Sequence, residues 1–146
     1  HSAVKRRIRI RLVGDGWPAP VVADSGNGYH LLFRVDLPGA DNGLVESCLQ
    51  ALAAMFDTEE AQVDQTVFNP ARITKLYGTM ARKGDDTPTR PHRPSRILEV
   101  PDVLVPVPEQ LLRDLAALAP QPESKRAPSG PVAASAGPGN FDLTDW

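Results

Sequence analysis

Asp24–Val35, DSGNGYHLLFRV, is the stretch on which the reading of this chain turns. Glycine and asparagine tolerate the positive φ that tight hairpin turns demand, so GNG between the runs PVVADS and YHLLFRVDLP predicts a β-hairpin. In a strand alternate side chains face the same way, which puts Tyr29, Leu31, Phe33 and Val35 on one face and His30, Leu32 and Arg34 on the other. The first set is apolar and predicts the core. His30 and Arg34 then point to the opposite, solvent-lined face.

Helical patterns flank the hairpin. SAVKRRIRIRLVGDG reads as the end of a basic helix with Val4, Ile8, Leu12 and Val13 inward, stopped by Gly14 and Gly16; Lys5, Arg6, Arg7, Arg9 and Arg11 read as its solvated face. NGLVESCLQALAAMFD repeats apolar residues at Leu44, Val45, Cys48, Leu49, Leu52, Ala53 and Phe56, with Asp41 or Asn42 as the cap. Val63 and Asp64 predict a short extended strand, SRILEVP another strand, and PEQLLRDLAALA a helix starting at Pro108. Hairpin strands mixed with covering helices predict an α+β fold: an RNA-recognition-like antiparallel or mixed sheet with helices mainly on one face. Beyond Pro120 the composition turns to Pro, Ala, Ser and Gly, a disordered tail. The expected division is a domain over 1–119, a linker over 120–140 and the start of a following element over 141–146.

A chain of 146 residues holds one domain with a core, and a formal net charge of −2 excludes a protein that coats nucleic acid by being basic throughout. A single cysteine, Cys48, excludes a disulfide or a cysteine-built zinc site within the chain; it reads as core rather than nucleophile. No apolar run reaches membrane-spanning length and the N-terminal stretch lacks the apolar block of a secretory signal, so the expected location is cytoplasmic, with no membrane partner. The sequence begins without methionine, which suggests a chain cut from something longer. Trp17 reads as packing beside Pro18, and His92 as a loop residue.

The chemistry gathers in two places. A histidine beside a turn of little side-chain bulk can donate to an anion while Asn27 and Gly28 let a ligand approach the backbone; GNGYH alone also fits an ordinary exposed histidine after a turn. Asp64 in VDQTVF fits a cap, a turn or a metal ligand. Asn69, Arg72, Lys75, Arg82 and Lys83 follow it closely, interrupted by Gly78 and Thr79. An acid followed by that many donors suits a site holding a divalent cation and a polyphosphate together, since the cation takes carboxylate oxygens and phosphates take guanidinium and ammonium groups. A basic surface loop is the plainer alternative.

SGNGYHLLFRVDLP together with VDQTVFNPARITKLYGTMARKG resembles the archaeo-eukaryotic primase superfamily, specifically the bifunctional primase-polymerases of plasmids, phages and mobile elements, over roughly residues 17 to 118. The family's small residue, any residue, histidine pattern matches Gly28, Tyr29 and His30; its hydrophobic residue before aspartate matches Val63 and Asp64; Arg72, Gly78, Thr79 and Lys83 match downstream positions. The resemblance implies template-directed nucleotidyl transfer with Mg2+ or Mn2+: a 3′-hydroxyl attacks the α-phosphate of a nucleoside triphosphate and pyrophosphate leaves. It implies Asp64 as metal ligand, His30 as a hydrogen-bond donor to the triphosphate, and Asn27, Gly28, Arg72, Lys75, Thr79 and Lys83 as nucleotide-binding residues. The implied partners are nucleoside triphosphates, single-stranded DNA template or primer-template, and a fused or associated helicase/ATPase domain.

Two departures stand against that pattern. Gly28 offers no hydroxyl where some family members carry serine, and no acid, any residue, acid pair precedes His30. Asp57 and Glu59 have the spacing but follow the histidine and close a helix, so they read as capping or solvation. The expectation is the carboxyl-side portion of a catalytic domain, inactive as a polymerase by itself. The alternatives are a noncatalytic module gripping single-stranded nucleic acid through its basic loop, with Tyr77 stacking on a base, and a structural remnant in a helicase-linked replication protein.

Overall fold

The structure is a computed structural model and describes residues 2–121; the expected linker over 120–140 lies almost wholly outside them, and the expected following element over 141–146 lies entirely outside. The α+β class holds: three helices, an antiparallel sheet of three strands and an antiparallel ribbon of two. In chain order they are α1 (Ser2–Gly14), β1 (Val21–Asp24), β2 (Tyr29–Leu32), α2 (Leu44–Phe56), β3 (Met80–Ala81), β4 (Arg93–Pro94), β5 (Arg96–Glu99) and α3 (Glu109–Ala116).

The expected hairpin forms, with Val21 opposite Leu32 and Asp24 opposite Tyr29, and β5 joins the other edge of β1 to give the order β2-β1-β5. Its turn works differently from the expectation. The Ser25 N–H donates to Gly28 O at 2.8 Å and the Asp24 carboxylate accepts from Gly26 N–H at 2.8 Å, so the positive φ falls on Gly26 (84°) and not on Asn27 or Gly28.

Register sorts the two faces. Val22 pairs with Leu31, and Leu31 and Phe33 pack against the core cluster; Ala23 pairs with His30 and so shares the opposite face. Val35, expected inside, lies beyond the end of β2 and is exposed.

The core joins all three helices. Val4, Ile8 and Leu12 of α1 meet Cys48, Ala51 and Phe56 of α2 and Leu112 and Leu115 of α3. Each such buried side chain contributes about 1.5–3 kcal/mol of hydrophobic stabilisation. Val13, expected inward, is exposed, because the stripe at Val4, Ile8 and Leu12 advances by four residues and leaves position 13 on the flank. Trp17 seats as expected, edge-on to Phe33 with ring centroids 5.1 Å apart. Gly43, and not Asp41 or Asn42, stands at the N-cap of α2; the Asp41 carboxylate supports the first turn from two residues before it, accepting from Gly43 N–H and Val45 N–H at 3.0 Å each. Pro108 stands at the N-cap of α3.

The strand expected at Val63 and Asp64 does not form. The Asp57 carboxylate takes the Val63 N–H at 2.7 Å and the Asp64 carboxylate takes the Thr66 N–H at 2.9 Å, so side chains satisfy the donors a ladder would have used. Asp57 sits at the C-terminal cap of α2, in the capping role expected of it.

The β3–β4 ribbon was not anticipated. It packs on the hairpin turn: a Cβ at Gly26 would stand 2.6 Å from Ala81 Cβ and 2.8 Å from Arg93 O. Buried Ser95 ties the ribbon's flank down, accepting through its carbonyl from Gly78 N–H and donating from its N–H and hydroxyl to Thr79 O at 2.8 and 2.7 Å.

A candidate functional site around His30

His30 reaches its position because β2 alternates and Ala23 beside it has no bulk. Its Nδ1 lies 2.6 Å from the Tyr77 hydroxyl, the two rings edge-on at 5.9 Å and 71°. Tyr77 arrives there because Gly78, at φ 96°, turns the chain immediately after it and Ser95 anchors that turn.

Asp64 lies within electrostatic reach of His30, and Lys5 of α1 lies within reach of both. Burial depresses the His30 pKa below its usual value; the Lys5 ammonium depresses it further, while Asp24 and Asp64 pull it up. Lys5 is depressed by burial and raised by Asp64. The Asp64 carboxylate is held below its usual range first by the Thr66 hydroxyl, 2.6 Å away, then by the Thr66 N–H, with Arg72 and Lys5 adding in the same direction. Burial raises the pKa of Tyr77, which keeps its hydroxyl protonated. An imidazole, a phenol, an ammonium and a carboxylate thus neighbour one another, with the Arg72 guanidinium within electrostatic reach of the carboxylate.

Lys5 is the residue the sequence reading placed wrongly. Lys5 and Arg9 flank the buried stripe one turn apart, and neither is fully solvated: Arg9 pairs with Glu99 at 2.6 Å, and Lys5 is half-buried within electrostatic reach of Asp64. Their spacing of four residues beside Val4 and Ile8 was the available signal. Arg7 stacks over the Phe56 ring at 5.7 Å, whereas Arg6 and Arg11 are exposed as expected.

Of the other expected site residues, Arg72 alone joins this group, through Asp64. Asn27 is exposed at the hairpin tip, its N–H on Ser25 Oγ, and Gly28 faces open space. Lys75 reaches Met80 O at 3.5 Å, the Thr79 hydroxyl donates to Leu76 O at 2.7 Å, and Lys83 is exposed beside Gly84. Among the described residues no hydrogen bond or ion pair links Lys75, Thr79 or Lys83 to His30 or Asp64.

For a divalent cation, the described residues bring no three His, Cys, Asp or Glu side chains together. Asp64 has Oδ1 engaged by Thr66 and only Oδ2 to offer, which does not fit a two-cation centre. Cys48 is no nucleophile: burial, with Asp41 adding, pushes its thiol up to about 11. His92 is fixed in its loop through Gly84 O at 2.9 Å. Among the described residues no helix is long and apolar enough to cross a membrane. Compared with known proteins, the chain matches no family model, no curated protein and no solved structure.

Proposed function

We propose that this chain carries the nucleoside-triphosphate-binding part of a primase-polymerase, in which His30 donates to a phosphate oxygen and Lys5 and Arg72 balance phosphate charge. The observation that supports this reading is that His30, Asp64 and Lys5, from separate parts of the chain, lie near enough for their charges to act on one another. Anion binding there has a physical basis. A neutral imidazole donor and a half-buried ammonium act in a region less screened than bulk water, where each charge-assisted hydrogen bond is about twice as strong as a neutral one. Gly28, with open space around it, leaves room for a ligand at the hairpin.

Mg2+ or Mn2+ belongs to the proposal as companion of the triphosphate. Asp64 supplies one carboxylate, and nucleotidyl transfer requires further carboxylates beyond the described residues. The polymerase activity, the single-stranded DNA template or primer-template, a helicase/ATPase partner and a cytoplasmic location are proposals of the same standing, resting on the resemblance of residues 17 to 118.

The test is binding of dATP and ATP to the full chain by titration calorimetry, with Mg2+, with Mn2+ and with chelator. The expected result is cation-dependent binding that His30→Ala and Asp64→Ala each weaken by roughly tenfold or more. Binding of single-stranded DNA that is salt-sensitive, indifferent to chelator and unaffected by either substitution would sink the reading. That outcome belongs to the strand-binding module, which the exposed basic and apolar surface of Lys75, Arg82, Lys83, Ile73 and Leu76 favours. Against it, the Tyr77 hydroxyl is bonded to His30 Nδ1, which ties the ring to the sheet instead of leaving it free to follow a base.

A further inference from the structure

The hydrogen bond between His30 Nδ1 and Tyr77 has a direction, and the direction fixes which nitrogen faces a ligand. A neutral imidazole has one N–H and one bare nitrogen, so the partner of one nitrogen decides the role of the other. The 2.6 Å contact admits either group as donor, but the phenol O–H is the stronger acid and the bare imidazole nitrogen the stronger base, so the favoured direction is O–H to Nδ1. Among the described residues the Tyr77 hydroxyl has no hydrogen-bond partner besides His30. Its place is set from outside the site, by the Gly78 turn and the Ser95 anchor, and not by His30 itself.

We propose that Tyr77 is the positioning residue of His30: its hydroxyl donates to Nδ1, fixes the ring as the Nε2–H tautomer, and so makes a neutral imidazole a proton donor toward a phosphate oxygen. The phosphate end of this proposal rests on the nucleotide reading above; the tautomer does not. The arrangement solves a local problem. With the ring half-buried and the Lys5 ammonium near it, together outweighing the Asp24 and Asp64 carboxylates, a full positive charge on His30 is unfavourable before an anion arrives, yet an N–H donor is still required. Bare imidazole in water divides between tautomers, so a phenol holding Nδ1 removes the unproductive one. Tyr77 touches no phosphate in this scheme; it acts through the ring it holds.

The experiment is a long-range 1H–15N correlation spectrum of the 15N-labelled full chain above the titration range of its histidines, with His30→Gln used to assign the His30 signals. The expected pattern is a single Nε2–H tautomer for His30, which becomes a mixture in Tyr77→Phe while the rest of the spectrum stays folded. Titration with dATP and Mg2+ then gives roughly fivefold weaker binding for Tyr77→Phe, the loss of about one net hydrogen bond. An Nδ1–H tautomer in the unsubstituted protein, or one unchanged by Tyr77→Phe, overturns the positioning role. A tautomer that shifts as expected in a protein that binds no dATP upholds the positioning and overturns the phosphate end alone.

Discussion

Gly26 and Ala81 touch so closely that position 26 has no room for a side chain: an added Cβ would stand 2.6 Å from Ala81 Cβ, with Arg93 O at 2.8 Å behind it. This contact locks the β1–β2 turn to the β3–β4 ribbon. The ribbon's flank, through Ser95 and Gly78, in turn sets the place of Tyr77, so the site depends on a glycine remote from the chemistry.

Gly26→Ala is therefore expected to be destabilising by about 2–4 kcal/mol, combining overpacking of about 1–3 kcal/mol with about 1 kcal/mol for a side chain at φ 84°. Gly28→Ala, two residues on, meets nothing within 4 Å and has no positive φ, so it should change stability by no more than about 0.5–1 kcal/mol. Urea unfolding midpoints of the two variants make the comparison. Equal effects would mean that the turn and the ribbon are not interlocked.

The convergence of Lys5, His30 and Asp64 predicts opposite shifts in one observable. The ammonium of Lys5 depresses the His30 pKa, so Lys5→Met moves the His30 titration to higher pH. The Asp64 carboxylate raises it, so Asp64→Asn moves the titration lower. NMR titration of the His30 ring in the two variants reads both signs without any ligand. Shifts of zero in both would separate the three residues and remove the basis for a shared site.

How much of this was legible in the sequence follows from where the apolar residues lie. Helices α1, α2 and α3 and the hairpin stand where their periodicity puts them, since Val4, Ile8 and Leu12, Cys48 and Phe56, and Leu112 and Leu115 carry the burial that makes each element form. The ribbon left no such trace. Met80, Arg93 and Pro94 are exposed and Ala81 alone is buried, so no alternation marks it. The Val63–Asp64 strand failed for a related reason: aspartate side chains captured backbone donors that apolar alternation cannot reveal. His30 and Asp64 were picked out as residues, and Arg72 with them. Lys5 was hidden among five cations, and Tyr77 entered only through the strand-binding alternative, because a partner distant in the chain decides what each does.

Cys48 predicts a thiol that is inert in the folded chain. Its Sγ donates to Leu112 O at 3.1 Å, joining α2 to α3, and burial raises its pKa from 9.0 to about 11. A rise of two units lowers the thiolate fraction at pH 8 about a hundredfold, and 5% exposure slows reagent access further. Iodoacetamide at pH 8 should label Cys48 at the rate of an ordinary thiol in urea and about a hundredfold or more slower in the native protein. Comparable rates in the two states would place Cys48 outside the helical core.

Acidification should destabilise the fold in separate windows, the first set by His30 and the later ones by the depressed carboxylates of Glu99 and Asp64. The folded-state pKa of His30 is depressed, so folding favours the neutral ring; that contribution is complete above the usual 6.5 and is lost as pH falls through the lowered folded value. The Asp64 pKa is also depressed, so its contribution is complete above the usual 3.8 and disappears only as pH falls below that, through its own folded value. Solvent screens Asp64 more than His30, because Asp64 is exposed and His30 is half-buried, so the first window carries the larger loss. Urea midpoints measured from pH 8 downward should decline first just below 6.5, and His30→Gln should flatten that decline while leaving the later ones in place. A midpoint constant through the first window in the unsubstituted protein would mean that His30 is as well solvated in the folded chain as in the unfolded one, and the site would lose the burial on which its donor strength depends.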